Sequence, residues 1–194
     1  MKKEILTIVC MIYKSREWAE KFYEVLMQNT PEIQEGIVKF FFIVNYQKGI
    51  SDDVMRWLQE KSIPHFVFDK HPVQELYPKN LYCLYECWNE AINLSDTEYV
   101  CLINSDMFVA PKWCSELLKH RSDDKIVCSR LVESGRLPSG MHGISQNFGR
   151  KTESFNRKAF EEFAEKIKED RLVPGGLFMP FICSKKKLVE AGMY

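Results

Sequence analysis

The chain has 194 residues, 45% hydrophobic, 13% aromatic and 28% charged, with 27 basic against 27 acidic side chains. That length suits one domain burying roughly 70% of the surface its unfolded chain exposes, and the composition excludes a disordered tail, a collagen-like repeat and a disulfide-stapled miniature. A formal net charge of zero removes any global pull toward nucleic acid or an anionic membrane, so an anionic ligand has to be held locally.

The first segment, Ile5 to Tyr13, is an apolar run rich in β-branched residues and predicts a strand buried on both faces. Trp18, Phe22, Val25, Leu26 and Asn29 then fall at helical spacing, with Ser15 as N-cap and Thr30-Pro31 as the stop. A second buried strand is predicted over Ile37 to Asn45, followed by Ser51-Asp52-Asp53 as the cap of a helix carrying Val54, Trp57 and Leu58. His65 to Phe68 reads as a short strand. After a loop punctuated by Pro72 and Pro78 comes a long helix with the stripe Leu81, Leu84, Tyr85, Trp88 and Ile92.

That helix leads into a strand at Tyr99 to Ile103, which ends in Asn104, Ser105 and Asp106. Pro111 opens another helix with Trp113, Leu117 and Leu118, and Lys125 to Ser129 reads as one more strand. From Arg130 to Lys151 the chain turns glycine-rich with little apolar period, as a long functional loop does; Arg130, Arg136, His142 and Arg150 are its basic groups. A helix over Ser154 to Glu169 carries Phe155, Phe160, Phe163 and Ile167 on one side, and the tail reads as turn, strand and a short helix from Ser184. The repeating strand-helix order predicts an α/β domain with a single, mainly parallel sheet and helices on both faces.

The cysteines Cys10, Cys83, Cys87, Cys101, Cys114, Cys128 and Cys183 are odd in number, lie among apolar neighbours and contain no CxxC pair, the pattern of reduced, cytoplasmic packing. Cys83 and Cys87 are four apart on a helix, but a pair without two further ligands is a weak metal signal. No apolar run is long enough to span a bilayer and the N-terminus lacks a cleavage signal, so a cytoplasmic location without a transmembrane segment is expected.

Ligands of such sheets bind at the carboxyl ends of the strands. There the chain offers Tyr13 and Lys14 after the first strand, Asn45 and Tyr46 after the second, and Asn104, Ser105 and Asp106 after the fourth. The glycine fingerprint of dinucleotide-binding folds is missing after the first strand, and no phosphate loop of the GxxxxGK[ST] type occurs.

Three stretches carry a resemblance that spans nearly the whole chain: TIVCMIYKSREW; KNLYCLYECWNEAINLSDTEYVCLINSDMFVAPKW; and GGLFMPFICSKKKLVEAGMY. Together they resemble the family 2 glycosyltransferases of the GT-A fold. The middle stretch is the most specific, since Asn104, Ser105, Asp106, Pro111 and Trp113 reproduce that family's DxD-like turn followed by Pro and an aromatic. The resemblance implies an inverting, hexosyl-type transfer from a nucleotide-diphosphate sugar to a glycan or other hydroxyl acceptor, assisted by a divalent cation, Mn or Mg.

It makes Asp106 the metal-binding carboxylate and places Tyr13, Lys14, Asn45, Lys79, Asn80, Asn89, Asn104 and Ser105 at the donor nucleotide. Tyr13 would stack on the base, Asn45 would read its edge and Lys79 would meet the diphosphate. It also divides the domain into a donor-binding half, residues 1–129, and a partial acceptor-side half, residues 130–194. The family's general base lies a little beyond the Gly-aromatic turn that Gly192, Met193 and Tyr194 resemble, so the base is expected outside the sequence and further domains of a longer chain become possible partners.

Each of these residues also has an ordinary use. An aspartate after a strand makes turns and caps, a tyrosine at a strand end keeps its hydroxyl at the surface of the core, and asparagines cap and turn. A catalytically incomplete nucleotide-sugar binding module is therefore the alternative function, and a nucleotidyltransferase a third, although the basic glycine-rich loop it would need after the first strand is absent.

Overall fold

An unbroken apolar run rich in β-branched residues is satisfied only by burial on both faces, and Leu6–Ile12 (β1) achieves this with every residue buried and both edges paired. The structure is a computed structural model that describes residues 4–70, 79–135, 141–176 and 179–194; the side chains of residues 79–82 lie outside that description. Helix α1 (Arg16–Asn29) starts where expected, with the Ser15 hydroxyl accepting from the Trp18 amide at 3.4 Å. Pro31 ends it and at once opens the single turn α2 (Pro31–Gln34), because the first helical position needs no amide hydrogen.

Strand β2 (Val38–Asn45) and helix α3 (Asp52–Glu60) follow. The cap chemistry of α3 differs from the expectation: the Ser51 side chain makes no cap bond to the helix, and its hydroxyl instead accepts from the Gln47 amide at 3.0 Å. Strand β3 (His65–Phe68), helix α4 (Lys79–Leu94), strand β4 (Tyr99–Asn104) and helix α5 (Trp113–Lys119) complete the alternation. In α4 the stripe buries Trp88 and Ile92, whereas Tyr85 is 44% exposed and stacks on Tyr194 with ring centres 5.8 Å apart.

The strand expected at Lys125 to Ser129 contracts to β5 (Val127–Cys128), and the glycine-rich region forms a small parallel ladder of β6 (Val132–Glu133) and β7 (Ile144–Ser145). Helix α6 (Arg157–Ile167) begins later than the apolar pattern suggested. Asn156 is its cap, accepting from the Ala159 amide at 3.1 Å, and Phe155 lies before the helix, packed on Phe160 at 5.7 Å as a hydrophobic staple. Strand β8 (Phe181–Ser184) and helix α7 (Lys185–Glu190) end the order.

Six strands form one sheet in the order β3-β2-β1-β4-β8-β5. Pairing is parallel from β3 through β4, and β8 enters antiparallel between β4 and β5. One face carries Ile8, Phe42 and Ile103 against α1, α3 and α5; the other carries Val9, Ile43 and Leu102 against α4. The sheet is therefore covered on both sides, the fold class expected from sequence.

Phe42 sits at the centre of the first face, fully buried among Phe40 at 4.8 Å, Trp57 at 5.9 Å, Phe22 at 6.0 Å and Tyr23 at 6.1 Å. Replacing Phe42 with Ala should cost about 3–5 kcal/mol in urea denaturation. The same change at Ile126, which is 47% exposed, should cost less than about 1 kcal/mol.

Candidate functional site

The order in which the strands are laid down creates the site. From β1 the chain winds outward through β2 and β3, then returns to place β4 on the other side of β1. In sheets of this kind the loops leaving the two strands part in opposite directions where winding reverses, and ligands bind at that carboxyl edge. Register says which residues flank it: Ile12 pairs with Val44, so Tyr13 follows β1 where Asn45 closes β2, and Met11 pairs with Asn104, the last residue of β4.

The residue after Tyr13 makes a sharp departure from the strand. Lys14 has φ of 70°, and the Ser15 amide bonds back to the Tyr13 carbonyl at 2.9 Å, a γ-turn centred on a non-glycine residue. Its side chain folds over the neighbouring ring, with Nζ 4.4 Å from the Tyr13 ring centre, while Tyr13 itself is 47% exposed. Strain of this kind persists where the surroundings enforce it, and such positions gather at ligand sites. Asn45, in contrast, is 2% exposed and forms part of the floor.

Asp106 lies on the other lip. The Met107 amide bonds to the Asn104 carbonyl at 3.2 Å, closing a four-residue turn with Ser105 and Asp106 at its tip. Asn104 and Asp106 are exposed and Ser105 half-buried, and Asp106 enters no ion pair among the described residues. Its charge is felt beneath: burial first, then the Asp106 carboxylate and Cys101, push the Cys10 thiol well above the ordinary cysteine range. The turn thus carries a carboxylate, an amide and a hydroxyl, a hard oxygen donor set that fits Mg or Mn, which take one or two carboxylates and complete their shell with water and phosphate oxygens.

The other candidates are placed as follows. Asn89 is committed to the C-terminal turn: its Nδ2 donates to the Tyr194 carbonyl at 3.0 Å and its Oδ1 accepts from the Tyr194 amide at 2.9 Å. Lys79 and Asn80 belong to the first turn of α4, and their side chains lie outside the described residues. Arg136 lies outside them too. In the glycine-rich region, Arg130 Nε donates to the His142 carbonyl at 2.8 Å, so one of its basic groups braces the loop itself.

Of the acidic residues in the second half, Asp170 is held by Lys119 and by His120 at 3.0 Å. With Glu116 and His120 it forms the group of potential ligands among the described residues whose donor atoms lie within 4.8 Å of one another, but the Lys119 ammonium already neutralises it. Cys87 is buried in the apolar face of α4, where burial and then Glu90 push its thiol up to about 12, an environment for packing and not for ligation.

The Asp106 turn is supported by residues to which the sequence alone gives no such role. Phe108 stacks on Trp18 at 5.8 Å and on Phe155 at 4.3 Å, the Val109 carbonyl accepts from Asn29 at 2.8 Å, and Trp113 Nε1 donates to the Thr30 hydroxyl at 2.9 Å. The available signal was Asn29 on the apolar stripe of α1, since an amide buried on a core face requires partners.

No protein-family model matches the chain, and no curated protein matches it in sequence. Its fold does match solved structures. It aligns with S. aureus TarS 1-349 at a TM-score of 0.58 and 12% identity, over 98% of this chain and 50% of that one. GalNAc-T7 with UDP, GalNAc and Mn2+ gives 0.58 at 10% identity, over 98% and 36%. Glucosyl-3-phosphoglycerate synthase from Mycobacterium tuberculosis, in complex with Mn2+ and UDP-glucose, gives 0.54 at 12% identity, over 94% and 57%. These neighbours are GT-A glycosyltransferases, and the chain has their fold. It spans about half the length of the first of them. No helix among the described residues is long and apolar enough to cross a membrane.

Glycine at position 14 would adopt the left-handed conformation without steric cost, so Lys14→Gly should stabilise the protein by about 1 kcal/mol, whereas Lys14→Ala should not. Paired urea denaturation curves check this.

Proposed function

We propose that this GT-A chain binds a nucleotide-diphosphate sugar in the crevice between β1 and β4 and serves its transfer to a glycan or other hydroxyl acceptor. The observation that carries the reading is the parallel register, which sets Tyr13, Asn45 and the Asn104–Asp106 turn at adjoining carboxyl ends where the winding of the sheet reverses. In this reading residues 1–129 form the donor-binding half and residues 130–194 the acceptor side, in a protein that works in the cytoplasm, with further domains of a longer chain among its partners.

The exposed Tyr13 ring stacks on the base, and the Lys14 ammonium above that ring offers positive charge beside it. Asn45 closes the floor and reads the edge of the base through its side-chain amide. Asn104 and Ser105 hold ribose or an ordered water, Lys79 meets the diphosphate with Asn80 beside the donor, and Asn89 fixes the helix wall through Tyr194. Asp106 would hold Mn or Mg, which would supply Lewis-acid stabilisation of the departing diphosphate. Transfer is hexosyl-type, with inversion by in-line attack, and requires a general base beside the acceptor oxygen.

The test is calorimetry of the purified chain with a panel of nucleoside diphosphates and their sugars, with and without Mn2+. Wild type should bind at least one of them in a metal-dependent way, and Asp106→Ala should weaken that binding by more than about tenfold. Equal metal-dependent affinity in the variant would overturn the assignment of Asp106. Incubation of the binding-competent donor with sugar acceptors then separates the two functional readings: product formation supports the transferase, and binding without turnover supports a nucleotide-sugar binding module.

A further inference from the structure

Helix α6 contributes no fully buried side chain, yet it is tied to the loop that follows Asp106. Its first residue, Arg157, donates from Nε to Glu161 Oε1 at 2.6 Å, from Nη2 to Asn29 Oδ1 at 3.2 Å, and from Nη1 to Gln28. Asn29, the last residue of α1 and 6% exposed, divides its Nδ2 between Glu161 Oε1 at 2.9 Å and the Val109 carbonyl at 2.8 Å. The orientation of this amide is therefore determined: flipped, it would set its oxygen against a carboxylate and a buried carbonyl.

A second tie is aromatic. Phe108, two residues past Asp106, is stacked on Trp18 of α1 and on Phe155, whose own position is fixed by the staple to Phe160. Gly149 lets the preceding loop close on this corner, since a Cβ there would stand 2.3 Å from the Ser154 carbonyl oxygen. Beyond the far end of α6, Asp170 is bound by Lys119 and His120 at the end of α5. The segment is thus tied at its start to α1 and the loop after Asp106, and past its end to α5.

We propose that Asn29, Phe155 and the Arg157–Glu161 pair are positioning residues that hold the Asp106 turn over the crevice, so that the segment after residue 150 sets the affinity of the donor side for a metal-bound nucleoside diphosphate. The affinity half of this inference rests on the function proposed above; the positioning half does not. Because α6 buries no core residue, its release from the loop changes global stability little, while Phe108 loses the stack with Phe155 and the Asn29 amide that donates to the Val109 carbonyl loses the Glu161 and Arg157 partners that orient it.

The experiment uses Asn29→Asp, which keeps the shape but sets an oxygen against Val109 and Glu161, and Phe155→Ala with Phe155→Tyr as the ring-preserving control. Amide hydrogen exchange on the ligand-free protein reads the Met107 and Trp113 amides, which bond within the loop, against Val100 and Leu102 in β4. Calorimetry reads UDP with Mn2+. Selective acceleration of Met107 and Trp113 exchange by about tenfold in Asn29→Asp and Phe155→Ala, with Phe155→Tyr near wild type, supports the clamp, as does a parallel weakening of UDP binding.

Unchanged exchange at Met107 and Trp113, or acceleration spread equally over β4, overturns it. Loosened exchange with unchanged UDP affinity overturns the affinity half. If wild type binds no nucleoside diphosphate, the proposed function fails and the exchange pattern alone decides the clamp. Should Asn29→Asp not fold, the Phe155 pair carries the same comparison, since Phe155 lies on the half-buried surface of the strap.

Discussion

Everything in this protein depends on β1 being paired in parallel on both edges and buried on both faces. A strand so placed can be served only by neighbours whose helices return over the two sides of the sheet, which is why α1, α3 and α5 pack on one face and α4 on the other. The same strand is where the winding reverses, and the reversal leaves its carboxyl end uncovered by helix. The strand buried along its whole length thus delivers Tyr13 and Lys14 to the surface immediately beyond its last residue. Burial and site are two consequences of one pairing pattern.

The central elements were legible in the sequence because each is dictated locally: β1, β2 and β4 by continuous apolar runs, α1 by its stripe and its Ser15 cap. The departures arise where a distant partner or a mimicry decides. Phe155 and Phe160 fit a helical face well enough to extend α6 backward, although their spacing is that of a staple across a cap. Ser51 and the following aspartates look like a cap, but the hydroxyl closes the preceding turn. The insertion of β8 between β4 and β5 is invisible in local periodicity, because strand order is a property of contacts far apart in sequence.

The site was legible to the extent that strand ends are. Tyr13, Asn45 and the Asn104–Asp106 turn follow from where the runs stop, and the register then aligns them. The γ-turn at Lys14 was not legible, since nothing in the residue type asks for a positive φ. The commitment of Asn89 to Tyr194 was likewise hidden, because an asparagine on a helix offers the same groups to a ligand and to a backbone.

Charge is managed locally throughout this neutral chain. Burial works to raise the Glu161 carboxyl, but hydrogen bonds from Asn29 and Arg157 outweigh it and hold it below the ordinary range; Lys119 and then His120 do the same for Asp170. A carboxyl depressed in the folded state stabilises that state above its unfolded value and loses the contribution as pH falls through the folded one. Both residues fasten the strap that α6 forms, so acidification below the ordinary carboxylate range weakens the strap at its two ends together. What holds β1 itself is apolar burial and backbone pairing, which carry no such dependence. A strap fixed by charges and half-buried rings, lying over a core fixed by burial, can loosen without unfolding what it covers, and the turn that carries Asp106 lies at the boundary between the two regimes.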